Sequence, residues 1–393
     1  MNKKNYLKHP LSLLILLLLP LACTKNNSGS KSPTSTKSFP NKETEFHQEA
    51  YPSYAKLFSA EYKKDYKIIT VKNSFDTSQV EERYILLPKG EPQPKNLPRG
   101  TKVNIPIESI GIAYATHIGY LEKLGLLHTI NGVSQKKYIK NEKIRQLVDE
   151  GTIKTFGPSH SINVEKLLSI NPPLLLVAPF KDNRYNRVKE VGIKIAVNAS
   201  YMETSPLARA EWIKFISYFF NKEKEANRIF DSLSQQYNRL KHLTDQREDT
   251  PTIFSGKKIG QIWYVPGGES YMAKFFKDAG ANYLWSENKK SGSLPLDFES
   301  VFYKARKADF WCIKENYQGR YTYNDLRSEF IHYNEFEAFK DHRILFCNTH
   351  TKPYFEKGVL EPQVILADLI HILHPELLPD HKNKYYEYLN TEK

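Results

Sequence analysis

Cysteine is scarce. The 393 residues hold three, Cys23, Cys312 and Cys347, and no C-x-x-C pair. That excludes a disulfide-stapled scaffold and a thiolate zinc site. Catalytic signatures are missing too: there is no G-x-S-x-G, no H-E-x-x-H and no G-x-G-x-x-G. The conspicuous apolar run, Leu11 to Leu21, has 11 residues, short of the roughly 20 that a spanning helix needs. What the chain does have is apolar bulk. It is 40% hydrophobic and 13% aromatic, enough to build cores and to exclude wholesale disorder. The length suits about two domains of roughly 150–200 residues.

The N-terminus reads as a targeting segment. Lys3, Lys4 and Lys8 precede the apolar run, and residues 1–22 are expected to be a signal peptide. The run ends in Leu19-Pro20-Leu21-Ala22-Cys23, which resembles a bacterial lipobox and makes Cys23 the candidate lipidation site. Residues 23–46 are rich in Ser, Thr, Lys, Asn and Pro and read as the lipidated cysteine and a flexible tether. The formal charge of +13 includes the three lysines of the leader, which holds no acid, so 54 basic residues face 44 acidic ones at +10. An exported basic protein suits an anionic ligand or surface, or simply a solvated lysine-rich exterior, and not nucleic acid.

Beyond the tether the pattern is α/β. Residues 67–71 and 83–87 read as a hairpin around the turn-rich 73–78, and 103–107 as another strand. Leu174 to Ala178 is wholly apolar, as for a parallel strand buried on both faces. Strands alternate with helical patterns through residues 47–205, the first lobe. Residues 206–246 are helical instead. Residues 222–245 lack Gly and Pro and would form a helix of roughly 35 Å, long enough to run along two lobes. The alternation resumes over 247–393, the second lobe. Asn163-Val164-Glu165 and Asp297-Phe298-Glu299 each place a capping residue and a first-turn carboxylate before a buried strand. This weak repeat supports two related α/β lobes bridged by a long helix, with a cleft between them.

In open α/β sheets ligands lie beyond the carboxyl ends of strands. That rule nominates Tyr114, Ser159, His160, Phe180 and Lys181 in the first lobe. In the second it nominates Gly268, Glu269, Tyr271, Glu315, Tyr317 and Tyr354. Lys289 and Lys290 are further partners for an anion. Each of these residues, taken singly, also fits a turn or an exposed surface. Glu165 and Glu299 suit helix N-termini, and their matched placement also suits docking on a two-fold partner. His371 and His374 are spaced i, i+3 but lack a further ligand, so no metal is expected. Cys312 and Cys347 lie in apolar strands as buried thiols.

Several segments, taken as a set, carry a family resemblance: Ala210-Glu211-Trp212-Ile213-Lys214-Phe215, Trp263-Tyr264-Val265-Pro266-Gly267-Gly268-Glu269-Ser270-Tyr271-Met272, Asp278-Ala279-Gly280-Ala281-Asn282-Tyr283 and His374-Pro375-Glu376. From about Val103 to Leu389 the chain resembles the substrate-binding lipoproteins of ABC importers for ferric siderophores, haem and cobalamin. Pro173 and Glu361-Pro362-Gln363 depart from the family's usual pattern. The resemblance implies two Rossmann-like lobes bridged by a backbone helix that limits closure, and no enzymatic activity or cofactor. It implies an iron complex or a corrinoid as ligand, and a permease dimer with its ATPase as partner, met by Glu165 and Glu299. It also implies a membrane-anchored lipoprotein facing the periplasm. An exported enzyme on the same fold and an adhesion module are the competing expectations.

Overall fold

The computed structural model describes residues 49–182 and 184–391. The expected signal peptide, Cys23 and the whole of the expected tether lie outside the described residues. No helix among the described residues is long and apolar enough to cross a membrane.

The first half holds two sheets, where a single parallel lobe was expected. Phe58–Tyr62, Lys67–Lys72 and Val80–Pro88 pair antiparallel, and Thr101–Ile105 adds in parallel beside Val80–Pro88. The reason is connection length. The links after Tyr62 and Lys72 are too short for a crossover, so those strands can only reverse. The second sheet is wholly parallel. Its spatial order is Lys154–Thr155, Ile130–Val133, Ile110–Ile112, Leu175–Val177 and Ile195–Val197. Counted along the chain that order is 3-2-1-4-5, a doubly wound arrangement with its switch point between Ile110–Ile112 and Leu175–Val177. Both of those strands are buried throughout, which is why they read as continuous apolar runs.

The second half mirrors this plan. Asn282–Tyr283, Thr252–Ser255, Phe310–Glu315 and Ile344–Asn348 are parallel neighbours, and Glu387–Tyr388 closes the edge antiparallel. The order is 2-1-3-4-5, so the switch point falls between Thr252–Ser255 and Phe310–Glu315. Ile262–Pro266 does not join this sheet. It sits between Lys258–Ile259 and Ser293–Leu296 in a separate antiparallel sheet, because a two-residue turn at Gly260-Gln261 folds it straight back on Lys258–Ile259. Stacked rings of Trp263, Trp311, Phe254 and Phe336 fill the space between these sheets.

The connector is helical in three pieces, Pro206–Ala210, Trp212–Tyr218 and Glu223–His242. The last is the long Gly- and Pro-free helix, 20 residues. It packs on Trp212–Tyr218 and on Pro362–Leu373 of the second half. Trp212–Tyr218 touches Ile118–Lys123 of the first lobe, Pro206–Ala210 touches Tyr271–Asp278 of the second, and the long helix reaches the first half through the Glu223–Lys67 pair. Bridging is thus shared by the whole connector. Trp212 is fully buried and packs edge-on against Phe58, 4.8 Å away between centroids.

Two buried carboxylates fasten the chain to this connector. Glu211, fully buried, accepts the backbone N–H groups of Ser53, Tyr54 and Ala55 and pairs with Lys214 at 2.9 Å. Glu203 accepts the N–H of Leu57 and the indole N–H of Trp212. The Ala210-Glu211-Trp212 segment therefore anchors the residues that lead into the body. A third carboxylate joins the lobes directly. Glu356 is buried in the second lobe and accepts the backbone N–H groups of Lys140 and Asn141 from the first. Beside it, Gly119 packs so close that a Cβ there would lie 1.8 Å from the Glu356 carbonyl oxygen, which excludes any side chain.

Candidate functional site

At the first lobe's switch point, Tyr114 follows one central strand and Phe180 the other. Their rings stack with centroids 6.0 Å apart. The Arg184 guanidinium carbon lies 3.4 Å from the Phe180 ring centre, a cation–π contact, and the group is held by both oxygens of Asp182 at 2.6 and 2.7 Å. Tyr185 lies 3.4 Å from Tyr114 between hydroxyls, and Tyr201 donates to the Pro179 carbonyl. Beneath Tyr114 lies His117, which is buried; burial pushes its imidazole down to about 3, so the ring is neutral. The result is an aromatic wall with one neutralised arginine.

The floor between the lobes is built differently. Arg209 comes from the connector, Tyr271 and Tyr354 from helix starts in the second lobe, and Lys314 from the end of Phe310–Glu315. The Arg209 guanidinium carbon sits 4.0 Å from the Tyr271 ring centre. Lys314 Nζ donates to the Tyr271 hydroxyl at 3.3 Å and lies 4.9 Å from the Tyr354 ring centre. Tyr354 in turn donates to Met272 Sδ. Burial by itself would raise the Tyr271 phenol, but the charges of Lys314 and Arg209 outweigh it and bring it down to about 7. Tyr354 is shifted the other way, upward, chiefly by burial. Arg209, Tyr271, Tyr354 and Thr116 line a small cavity of about 40 Å³, room for a water and little more. Thr116 is two residues beyond Tyr114 of the wall.

The nominated residues fall into groups. Tyr114 and Phe180 come together in the wall, and Tyr271 and Tyr354 in the floor. Gly268 and Glu269 line a separate groove of about 740 Å³, between helix Tyr271–Asp278 and residues 54–56 and 204–205. Gly267-Gly268 has a structural reason as well: a Cβ at either would lie within 2.3 Å of a carbonyl oxygen in the loop 285–292. Ser159 and His160 occupy the turn before the Asn163 cap, with His160 exposed. Lys181 is exposed over the Phe75 ring. Glu315 pairs with Lys257 at 2.9 Å, and Tyr317 donates to Asp325. Lys289 and Lys290 are exposed.

Asn163 and Asp297 cap their helices through side-chain oxygens that accept from Lys166 N and Ser300 N. Glu165 and Glu299 are both exposed, and neither belongs to an ion pair among the described residues. The His371 and His374 rings each lie against a backbone carbonyl, those of Leu378 and Gly280, and no metal-binding cluster exists among the described residues. Cys312 and Cys347 are buried free thiols, pushed up to about 11 and about 12 by burial.

Sequence reading missed Arg209, Lys314 and Arg184. A signal existed for two of them. Arg209 interrupts Pro206-Leu207-Ala208 and Ala210, all four buried. Lys314 lies one position inside the end of a strand whose preceding residues, Phe310 to Ile313, are buried. A lone cation in an apolar run is costly unless it has a task.

Two α/β lobes, a helical connector and a mixed aromatic and cationic junction define a two-lobed binding protein of the periplasmic kind. A family model described as "Periplasmic binding protein" matches residues 112–348, and the chain belongs to that family. Its members are substrate-binding components of ABC importers and not enzymes. An uncharacterized lipoprotein of Methanocaldococcus jannaschii is similar at 28% identity, over 79% of this chain and 77% of that protein. The periplasmic haem-binding protein HutB of Vibrio cholerae shares the fold, with a TM-score of 0.54 and 17% identity over 68% of this chain and 99% of that one. The periplasmic vitamin B12-binding protein BtuF of Vibrio cholerae does likewise, with a TM-score of 0.51 and 12% identity over 70% and 99%.

Proposed function

We propose that this chain is an exported lipoprotein, tethered through Cys23, that captures an iron complex and hands it to an inner-membrane permease served by an ATPase. The ligand is a ferric siderophore or haem. A corrinoid is the second reading, favoured by the fold shared with a vitamin B12-binding protein. The observation that carries the proposal is convergence. Arg209 of the connector gathers with Tyr271, Lys314 and Tyr354 of the second lobe, and Thr116 of the first lobe lines the same small cavity as Arg209, Tyr271 and Tyr354. The stacked Tyr114–Phe180 pair supplies an apolar, planar face to such a ligand.

Glu165 and Glu299 are the docking carboxylates in this reading. What supports it is their matched place, one per lobe, each exposed in the first turn of a capped helix.

Titration of the purified protein with haemin, a ferric hydroxamate, a ferric catecholate and cyanocobalamin tests the ligand. Quenching of tyrosine and tryptophan fluorescence by one of them is expected, and silence across the panel refutes the reading. For docking, the Glu165→Arg/Glu299→Arg double variant should bind the ligand as the parent does yet abolish uptake by cells. Normal uptake would remove the docking role.

A further inference from the structure

The connector is one attachment between the lobes, and two bodies joined at one place are free to turn about it. The structure holds a second attachment, made by other elements. Glu356 belongs to Tyr354–Lys357 of the second lobe and is 3% exposed. Its two carboxylate oxygens accept the backbone N–H groups of Lys140 and Asn141 of the first lobe. Asn141 caps helix Glu142–Asp149, its side chain accepting from Ile144 N. The carboxylate therefore lies at a helix N-terminus, where negative charge is favoured. Lys357 reaches Glu122 at 3.0 Å, and Lys140 Nζ donates to the His350 carbonyl at 2.8 Å. Gly119 stands on the same helix as Glu122 and lets the Glu356 backbone approach more closely than any side chain would allow. These hydrogen bonds join residues 210 to 235 positions apart in the chain.

We propose that Glu356 is a positioning residue: a latch that fixes the separation of the lobes, and with it the distance between Glu165 and Glu299, before any ligand arrives. The proposal rests on the docking reading above. A partner with two sockets at a set spacing binds best to two carboxylates already held at that spacing, because the ordering cost then falls on folding and not on association. The latch suits this task in two respects. It is buried, so water does not compete for its oxygens. It also grips main-chain groups, so it fixes backbone and not a mobile side chain. Tyr354 and Phe355 precede Glu356 in the same short helix and line the small cavity together with Thr116 of the first lobe. The same latch thus sets the width of the floor.

The distance itself is the test. Lys166→Cys on Val164–Ile170 and Tyr303→Cys on Phe298–Ala305 are exposed sites for spin labels. They are introduced into the full chain with Cys23→Ser, Cys312 and Cys347 being buried. With no ligand added, pulsed electron resonance should give one narrow distance distribution, and a broad or two-peaked one overturns the latch. Glu356→Gln keeps one acceptor oxygen and turns an amide N–H toward a donor. It should broaden the distribution and speed amide exchange at Lys140 and Asn141 by about tenfold or more, the scale of one lost charge-assisted hydrogen bond. Glu356→Asp, one methylene short of both donors, should do the same, while Trp212–Tyr218 of the connector keeps its protection. An unmoved distribution in these variants overturns the proposal. So does faster exchange spread equally over the connector, which marks a general loss of stability. If neither variant folds, Lys357→Met removes the half-exposed pair with Glu122 and should broaden the distribution less; no broadening there overturns the latch. Docking is judged apart from this. Normal uptake by the Glu165→Arg/Glu299→Arg variant removes the docking role and leaves the measured lobe spacing as it stands.

Discussion

Arg209 and Lys214 stand five residues apart on the same connector and lead opposite lives. Lys214 is buried against Glu211 at 2.9 Å and also donates to the Tyr51 carbonyl. Arg209 lies on the junction side with an unpartnered Nε. The first cation is finished within the chain and holds residues 51–55 to the body. The second is left incomplete. A buried charge whose partner is internal is architecture.

Breaking the finished side should give the largest effect. Glu211→Gln strands Lys214 and turns an amide toward three backbone donors. It should lower unfolding free energy by about 3–5 kcal/mol, read from urea or guanidinium titration; a change under about 1 kcal/mol would remove the contrast between the two cations. Trp212→Ala, next to Glu211, empties a fully buried site and should cost about 3–5 kcal/mol by the same measurement. Glu356→Gln tests the direct tie between the lobes. It weakens two hydrogen bonds to buried backbone donors, which predicts a loss of about 1–3 kcal/mol. The unfinished side should scarcely respond: Lys314→Met should unfold within about 1 kcal/mol of the parent, or above it, because it removes an uncompensated charge.

A pH series sharpens the same comparison. Arg209 and Lys314 face Tyr271, with the Tyr354 ring on the other side of Lys314, and the Tyr271 phenol is brought down to about 7. As pH rises through about 7 the phenolate forms and supplies the missing negative charge from within. Affinity for an anionic probe should therefore decline over that range, and phenolate absorption should grow well below the usual range for tyrosine. Tyr271→Phe should abolish both changes. An absorption change confined to about pH 10 and above would show that the cations do not act on this phenol.

The elements of the fold were largely legible. Val164–Ile170 and Phe298–Ala305 fall where the Asn163 and Asp297 caps and the apolar spacing place them, since capping and helical periodicity are local properties. The buried strand Leu175–Val177 was equally plain. Sheet membership was not. Ile262–Pro266 has a strand's alternation whichever sheet it joins, and only the turn before it and the pairing with Ser293–Leu296 decide. The site was half legible. The strand-end rule led to Tyr114, Phe180, Tyr271 and Tyr354. It passed over Arg209, which belongs to a helix and follows no strand, and over Lys314, which lies one position inside one.

What the residues alone determined is the alternation of strand and helix, the helical connector and the family. Each rests on short-range periodicity or on a contiguous motif. Which cations would find partners was decided only in three dimensions. Lys67 and Glu223, like Lys257 and Glu329, are far apart in the chain and meet by packing, whereas Arg209 and Lys314 are brought by that packing to one phenol and, among the described residues, to no carboxylate. Compensation of charge depends on distance and on exclusion of water, and neither is written in the order of residues along a chain.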